Sequence, residues 1–408
     1  MSKNTCRVTG TPIIEFMDFG PQPLGNGFID YGELDSEYFY DMKLGFSEES
    51  MLVQLINQPD PNRMFHQEYA FFSSTSENMK LHFKDLSDYV ISSGILPKQN
   101  PFVVELGCND GILLKNFAAL GIKHLGIEPS KNVAQQANIN GVNTVSEFFD
   151  EEVADKVVQE YGQADVFLAA NVMCHISNIK SVVSGIKKLV KQRGIIIFEE
   201  PYLGDVIKKI SYDQIYDEHV FVFSALSVQY LFNLFGIELI DVSHQNTHGG
   251  SMRYVLSNKG IYPVKDSVLK LINDEQRNGL DKLETFLNFR LNVEKSKQDL
   301  NSLILSLKSQ GKDIAGYAAT SKSTTILNYC GIGPDMISYI CDTTPLKQGK
   351  LSPGVHIPIV PYENFSQNPP DYALLFAWNH SDEILSKEKD FSLQGGKWIT
   401  HVPNVRIL

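Results

Sequence analysis

A cluster of proton-handling side chains stands in the middle of the chain, in the segment IYDEHVFVFS at residues 215–224. Histidine changes its charge near neutral pH, so His219 is the candidate base, with Glu218 supporting it. Tyr216 is the candidate donor of a hydrogen bond to a developing oxyanion, although its role and that of His219 are open to exchange. His219 alone would suggest an ordinary half-buried histidine; the clustering favours a reaction centre.

Candidate ligand-binding side chains also lie in later segments. In HGGSMR, residues 248–253, we expect His248 and Arg253 to line a substrate site and Gly250 to permit close backbone approach. Further on, a predicted strand-to-helix turn carries hydroxyl groups and a lysine, which suits a diphosphate. The candidates there are Thr320, Ser321 and Lys322, with Lys347 as a further candidate or else a solvated surface lysine.

A glycine-rich turn, VELGCNDG, follows a predicted strand and opens a predicted helix. Gly107 and Gly111 allow the backbone to turn sharply and to approach a ligand closely. Glu128 lies 21 residues after Gly107, at the end of the next predicted strand, where a carboxylate accepts hydrogen bonds from ribose hydroxyls. Glu128 alone would suggest a surface carboxylate, but the combination predicts a cofactor that contains a nucleoside.

The residues around this turn favour S-adenosylmethionine over NAD. A pyrophosphate cradle prefers G-x-G-x-x-G, whereas Asn109 and Asp110 replace a glycine and add a carboxylate. Negative charge opposes a phosphate but is tolerated beside a sulfonium cation. The segment AANVMCHI, residues 169–176, adds small and apolar side chains for the adenine and the methionine tail. The predicted cofactor-binding residues are Glu105, Gly107, Asn109, Gly111, Glu128, Pro129, Asn171 and His175.

Strands that alternate with helices must position these residues. Apolar runs separated by helical stretches predict a parallel α/β sheet between residues 81 and 258, and a second α/β pattern starts at residue 313. Residues 264–310 look helical throughout, with one apolar face. We interpret them as a connector packed on a domain, the alternative being an oligomer-forming coil. The predicted strands are 102–106, 124–127, 166–169, 195–198, 314–317, 337–341, 372–378 and 397–400.

The composition limits the classes of partner. A chain of 408 residues suggests about two to three domains, and 43% hydrophobic residues can fill more than one core. The net charge of −12 argues against nucleic acid, which binds clustered Lys and Arg. The cysteines form no close pair, and neither a signal peptide nor the roughly 20-residue apolar run of a membrane span is visible. We therefore expect a cytoplasmic monomer or homodimer without nucleic-acid or membrane partners.

The motifs taken together resemble one family, the sugar C-methyltransferases that act on dTDP-linked keto-deoxysugars to make branched sugars. The resemblance covers nearly the whole chain. It is carried by ELGCNDG, GIEPS, IYDEH, HGGSMR, GYAATSKSTTILNY, CDTTPLKQGKLSPG and FAWNH.

This resemblance implies an α/β fold in three parts. A small irregular N-terminal zinc module would occupy residues 1–78, and a Rossmann-like S-adenosylmethionine domain residues 79–262. Connecting helices at 263–310 would lead to a C-terminal Rossmann-like domain at 311–408 that binds the nucleotide-sugar. The substrate would lie in the cleft between the last two domains.

The resemblance also implies a reaction. Tyr216 and His219 match the essential Tyr and His of the family, and Tyr69 lies where the family adds an aromatic to the sugar pocket, a packing tyrosine being the alternative. A base would remove the proton beside a 4-keto group, most simply at C3, and the enolate carbon would take the methyl group. The alternatives are an O-methyltransferase acting on a nucleotide-sugar and a non-catalytic nucleotide-sugar-binding member.

The chain departs from the family in the zinc module. The family carries two C-x-x-C pairs, whose four thiolates suit structural zinc. Here Cys6 is followed by Thr9, and the second pair is replaced by Ser47 and Ser50. Because three of these four thiolates are missing, we predict that the module binds no zinc.

A second departure lies in the active-site segment, where the family often has Y-H-E-H followed by Y-F-S. Asp217 replaces the first histidine, and Val222 replaces the tyrosine before Phe223. Since Tyr216, Glu218 and His219 are retained, we expect activity, with room for a different acceptor sugar.

Overall fold

The computed structural model describes residues 4–64 and 73–408. Tyr69, predicted for the sugar pocket, lies outside the described residues. Within them the strands form three sheets of four, seven and six strands. No described helix is both long and apolar enough to cross a bilayer.

The N-terminal part comprises β1 (Ile14–Pro23), β2 (Phe39–Ser47), β3 (Leu52–Leu55) and α1 (Pro61–Met64). The three strands form an antiparallel meander in which β2 lies between β1 and β3. The sequence predicts only short strand-like runs in this irregular module, whereas β1 and β2 are ten and nine residues long. A later two-residue strand completes this sheet by pairing with β3.

The central part alternates strands and helices, as its apolar runs predict. Strands that are buried on both faces read as near-continuous apolar segments, and all five residues of the strand before Gly107 are indeed buried. The elements are α2 (Glu77–Ser92), β4 (Phe102–Leu106), α3 (Leu114–Ala118), β5 (Lys123–Ile127), α4 (Lys131–Ile139), β6 (Thr144–Val145), α5 (Glu151–Tyr161), β7 (Ala164–Ala170), α6 (Ile179–Leu189), β8 (Val190–Pro201), α7 (Leu203–Lys209), β9 (Phe221–Val222), α8 (Ala225–Asn233), β10 (Ile237–Gln245) and β11 (Ser251–Asn258).

The order of the central sheet decides where a ligand binds. The strands lie in the order β6-β5-β4-β7-β8-β11-β10, and β11 runs antiparallel to both of its neighbours. Because β4 pairs in parallel with β5 on one side and β7 on the other, the connections diverge at β4. Ligands of open α/β sheets bind at the carboxyl ends of strands at such a point. Gly107 follows β4 there, and Asn171 follows β7.

Two helices, α9 (Asp266–Arg277) and α10 (Leu283–Ser309), connect the central and C-terminal parts. The expectation of one helical stretch over 264–310 is wrong at the junction. Gly279 takes a φ of 70°, and the N–H of Leu280 donates to the carbonyl of Glu275 at 2.9 Å, which ends α9. The ring centroid of Phe286 on α10 lies 4.5 Å from that of Phe46 on β2, so α10 packs on the N-terminal sheet. This contact favours the packed connector over the coil.

The C-terminal part has a second parallel sheet, in which one central strand again pairs with parallel neighbours on both sides. Two predicted strands are shifted or shorter: that of 337–341 runs over Ile340–Asp342, and that of 372–378 ends at Leu375 before a 3₁₀ turn, Trp378–His380. The elements are β12 (Ile314–Tyr317), α11 (Ser321–Cys330), β13 (Ile340–Asp342), β14 (Ile359–Pro361), α12 (Tyr362–Gln367), β15 (Tyr372–Leu375), α13 (Ser381–Lys387), α14 (Lys389–Leu393), β16 (Lys397–Thr400) and β17 (Arg406–Ile407).

The four positions that the family resemblance assigns to zinc ligands lie together in the N-terminal part. Cys6 Sγ is 3.3 Å from Ser50 Oγ, and Ser47 Oγ accepts a hydrogen bond from the Ser50 N–H at 3.3 Å. Burial tends to raise the pKa of the Cys6 thiol, but hydrogen bonds with Ser50, Thr9 and Ser47 bring it below its usual value. Three neutral hydroxyls and one thiol do not fit zinc, which prefers thiolate and imidazole ligands. Hydrogen bonds connect the two turns here.

We expect chelation to leave the fold unchanged, because hydrogen bonds hold the Cys6 cluster. Dialysis against EDTA should not lower the Tm, and elemental analysis should find no stoichiometric zinc. The matched control carries Thr9→Cys, Ser47→Cys and Ser50→Cys, which restores four thiols; it should gain zinc and a chelator-sensitive Tm. One tightly bound zinc per wild-type chain would contradict the prediction.

Candidate active site

A cavity of about 840 Å³ lies where the carboxyl ends of the two parallel sheets face each other. Gly107 and Asn171 line it from the central sheet, and Thr320 and Ala377 line it from the ends of β12 and β15. Each sheet therefore places on this cavity the strand ends at which its connections diverge to opposite sides. The predicted site residues that line it are Gly107, Asn109, Glu128, Pro129, Asn171, His175, Tyr216, Glu218, His219, His248, Thr320, Ser321, Lys322 and Lys347.

Four predicted site residues do not line this cavity. The Arg253 guanidinium is bound to the buried carboxylate of Glu199, as a largely buried cation requires. Glu105 is itself buried below the glycine-rich turn, and burial together with two nearby carboxylates raises its pKa well above the usual value. The glycines contribute backbone conformations, with φ values of 82° and 124°. The four are Glu105, Gly111, Gly250 and Arg253.

His219 and Tyr216 form a hydrogen-bonded dyad in the cavity wall. His219 Nδ1 lies 2.6 Å from the Gln214 carbonyl oxygen, which can only accept, so Nδ1 carries the proton. Nε2 therefore offers a lone pair, and the Tyr216 hydroxyl donates to it at 2.8 Å. Burial, together with the neighbouring His175, lowers the pKa of His219 well below its usual value. The imidazole is thus neutral and able to accept a proton near neutral pH.

Two more neutral histidines surround the dyad. The His175 ring stacks on that of His219 at a centroid distance of 5.4 Å, and burial lowers the His175 pKa to about 4. Burial also lowers the pKa of His248 to about 3, and its Nε2 accepts a hydrogen bond from Asn171 Nδ2 at 3.1 Å. Ligand atoms of Cys174, His175 and His219 lie within 4.8 Å of one another. Both His219 nitrogens are already hydrogen-bonded, and burial raises the pKa of the Cys174 thiol well above its usual value, so this group does not favour a metal ion.

The cofactor end of the cavity is acidic. Glu128 at the end of β5 accepts hydrogen bonds from the Asn109 N–H at 3.1 Å and the Ser130 N–H at 2.9 Å, which fix the glycine-rich turn. The Glu128 and Asp110 carboxylates beside this turn favour a cationic ligand over a phosphate, so the donor set fits S-adenosylmethionine. Asp110 does not reach the cavity: its carboxylate accepts hydrogen bonds from the N–H and hydroxyl of Ser74.

The part of the cavity lined by the C-terminal sheet is basic. Lys322 is half-buried in the wall, and its Nζ donates to Asn379 Oδ1 at 3.2 Å. Within the described part of the chain no carboxylate lies within 4.0 Å of this ammonium; burial lowers its pKa, and the more distant Asp213 carboxylate opposes that shift. Lys347 Nζ donates to the Ala319 carbonyl at 2.7 Å and lies 3.9 Å from Asp342. Both lysines flank the N-terminus of α11, which Thr320 caps.

The two departures in the active-site segment point away from the cavity. The Asp217 carboxylate is buried and accepts a hydrogen bond from the Gly25 N–H at 2.8 Å. Val222 lies in β9 and pairs with Val53 of β3. Neither residue lines the cavity, so neither side chain can select an acceptor sugar by direct contact.

Sequence reasoning missed several lining residues. Phe148, Phe149 and Asp150 follow β6 and line the cofactor end; Phe148 keeps 47% of its surface exposed. No motif marks them, although an exposed aromatic directly after a strand end is a usable signal. Asn26 enters from the N-terminal part, and its Nδ2 donates to Glu218 Oε1 at 2.8 Å. No local pattern connects positions 192 residues apart.

Comparison with known proteins decides the family. C-methyltransferase NovU of Streptomyces niveus is 31% identical to this chain over 406 residues, which cover 99% of this chain and 96% of NovU. The chain belongs to the C-methyltransferase family. It is accordingly an S-adenosylmethionine-dependent enzyme with an α/β methyltransferase domain.

Family profiles match three consecutive stretches of this C-methyltransferase. They are described as "Putative zinc binding domain" at residues 6–65, "Methyltransferase domain" at 81–242 and "C-methyltransferase C-terminal domain" at 246–403. The ubiquinone biosynthesis O-methyltransferase of Pelagibacter ubique (strain HTCC1062) is 22% identical over 239 residues, or 55% of this chain and 90% of that protein. A solved S-adenosylmethionine-dependent methyltransferase from Clostridium acetobutylicum ATCC 824 covers 44% of this chain and 92% of its own, at 10% identity and a TM-score of 0.34, too low to bear on function.

We expect Glu128→Gln to weaken S-adenosylmethionine binding by about tenfold, because an amide accepts hydrogen bonds from ribose hydroxyls less strongly than a carboxylate does. Calorimetric titration measures the effect. Glu284→Gln, which changes an exposed carboxylate on α10, is the matched control and should bind like the wild type. Equal affinities for the Glu128→Gln variant and the wild type would contradict the ribose role.

Proposed function

We propose that this C-methyltransferase acts on a nucleotide-linked 4-keto-deoxysugar, a dTDP-sugar methylated at C3, in the formation of branched sugars. The observation that carries the proposal is the half-buried Lys322 ammonium, which lines the same cavity as the Tyr216–His219 dyad. The ammonium suits an anionic group of the substrate, and the dyad suits an acidic C–H bond of the same substrate.

The basic end of the cavity supports a diphosphate. A half-buried ammonium that has no carboxylate within 4.0 Å among the described residues is suited to a ligand that supplies negative charge. The free N–H groups at a helix N-terminus favour the same charge, and α11 begins beside Lys322 and Lys347. A nucleotide diphosphate provides two phosphates for these donors, and its sugar would extend toward the dyad.

The dyad supports methylation at carbon. A 4-keto group acidifies the hydrogen on the adjacent carbon, and removal of that proton makes an enolate, which is a carbon nucleophile. Nε2 of His219 takes the proton from carbon directly, or it takes the Tyr216 hydroxyl proton while the phenolate oxygen removes the proton from carbon; in both cases Nε2 ends with one added proton and Tyr216 ends as a neutral phenol. The Tyr216 hydroxyl otherwise donates to the developing oxyanion. S-adenosylmethionine supplies the electrophilic methyl group.

Glu218 supports this proton transfer as a negative charge next to the dyad. A carboxylate stabilises a neighbouring imidazolium, which offsets the burial that otherwise keeps His219 neutral. The lowered pKa means that His219 is already deprotonated, and so in its proton-accepting form, before the substrate binds. O-methylation would use a base beside a hydroxyl and would leave the proton next to the ketone in place. Solvent exchange at that carbon separates the two reactions.

Replacement of His219 by Asn should lower both methyl transfer and solvent deuterium exchange at the substrate carbon by about 10²- to 10⁴-fold, the contribution of a positioned base. S-adenosylmethionine affinity should be kept, because His219 lies outside the predicted ribose contact. The measurement is deuterium incorporation into a dTDP-4-keto-deoxysugar in heavy water, followed by mass spectrometry. Near-wild-type exchange in His219→Asn would reject His219 as the proton acceptor.

The pH dependence gives a second check on the same group. A lowered pKa keeps His219 deprotonated as the pH falls through the usual histidine value, so exchange by the wild type should stay level from about pH 8 to about pH 6. The acid limb should appear only below that range. An acid limb centred at or above about pH 6.5 would contradict the buried, neutral base.

We expect Lys322→Met to weaken the binding of dTDP by about 10- to 100-fold, because the variant removes the charge that pairs with the phosphates. The Tm should change little, since an apolar side chain of similar length keeps the packing of this half-buried position and Lys322 has no carboxylate within 4.0 Å among the described residues. Calorimetry with dTDP and thermal unfolding measure the two effects. Lys270→Met, an exposed position on α9, is the matched control. Unchanged dTDP affinity in Lys322→Met would place the diphosphate elsewhere.

A further inference from the structure

The N-terminal part contacts the catalytic segment at several successive residues between Asp217 and Val222. The N–H of Leu55 donates to the Val220 carbonyl at 2.7 Å, and β3 then pairs with β9. The Tyr216–His219 dyad therefore stands directly before a strand that belongs to the N-terminal sheet. The N-terminal module is therefore distant from the reaction centre along the chain but in direct contact with it in the folded structure.

A tight turn of the same module reaches the other end of this segment. The turn runs over residues 24–27, where the Gly27 N–H donates to the Leu24 carbonyl at 3.0 Å. Gly25 is held on two sides: its N–H donates to Asp217, and its carbonyl accepts from Thr324 Oγ1 on α11 at 2.9 Å. A side chain at position 25 would lie only 2.8 Å from Asp217 Oδ1, so a glycine is needed for this approach. The turn is wedged between the catalytic segment and the C-terminal part.

The turn presents one polar side chain to the cavity. Asn26 lines the cavity wall, and its Nδ2 donates to Glu218 Oε1 at 2.8 Å. A carboxylate at the end of a three-torsion side chain loses orientational freedom when a fixed donor binds it. The donor is the Asn26 amide, and the two hydrogen bonds made by Gly25 fix the position of its turn. Glu218 precedes His219 in the chain.

We propose that the N-terminal module acts in catalysis through Asn26, a positioning residue that orients the Glu218 carboxylate toward the His219 dyad. This inference rests on the proposed function only for the step in which Glu218 takes part. It gives the module a role that does not depend on zinc, because the Gly25, Asn26 and Leu55 contacts are all hydrogen bonds of the polypeptide. Asp217, which departs from the family pattern, serves as the anchor of this turn.

The test compares Asn26→Ala with the isosteric Asn26→Asp by the rate of deuterium exchange. Asn26→Ala removes the donor and should lower exchange and kcat by about tenfold, with the KM for S-adenosylmethionine within about twofold of the wild type. Asn26→Asp places a second carboxylate against Glu218 and should be slower still at about pH 8. Two carboxylates at this distance share a proton at lower pH, which restores one hydrogen bond, so Asn26→Asp should recover relative to the wild type toward about pH 6.

The matched control is Asn57→Asp, because Asn57 belongs to the same module and its Nδ2 donates to the Asp41 carbonyl away from the cavity. It should show neither the loss nor the recovery at low pH. Parallel losses in Asn26→Ala and Asn26→Asp that follow the Tm and do not change with pH would overturn the positioning role, as would wild-type rates in both. His219→Asn separates the two ideas: wild-type exchange in that variant would refute the proposed function itself, whereas inactive His219→Asn with fully active Asn26 variants would refute this inference alone.

Discussion

The hydrogen bond from His219 Nδ1–H to the Gln214 carbonyl determines what the rest of the site can do. A carbonyl only accepts, so this bond assigns the proton to Nδ1 and leaves the Nε2 lone pair in the cavity. Burial keeps the ring neutral. Tyr216 then has one orientation in which it donates to Nε2, and the dyad is ready to take a proton before any ligand is bound.

The fold surrounds this dyad with charges of opposite sign. The central sheet brings Glu128 to the end where a sulfonium cation would bind, and the C-terminal sheet brings Lys322 to the end where phosphates would bind. Each group stands at a strand end next to a switch point, where parallel sheets form ligand crevices. The topology of the two sheets therefore places the acidic and basic groups of the cavity apart. This separation determines which part suits the cationic cofactor and which suits an anionic ligand.

The sequence predicts the parts of this arrangement that are local. Gly107 and Glu128 are recognisable because a turn and the next strand end lie close together in the chain, and α11 is bounded correctly because Thr320 caps it. Contacts between distant segments escaped prediction, as with Asn26 and Glu218. Arg253 also illustrates the limit: its motif suggested the sugar site, but pairing with Glu199 decides its direction, and that partner lies on a neighbouring strand.

The central claim, carbon methylation of a nucleotide-linked keto sugar, is tested most directly by the bond that the new methyl group makes. The enzyme would be incubated with a dTDP-4-keto-deoxysugar and S-adenosylmethionine that carries a ¹³C-labelled methyl group, and the product examined by NMR. The account predicts a labelled methyl bonded to the ring carbon next to the ketone, visible through its correlations to ring carbons. A labelled methoxyl group on the sugar would contradict it.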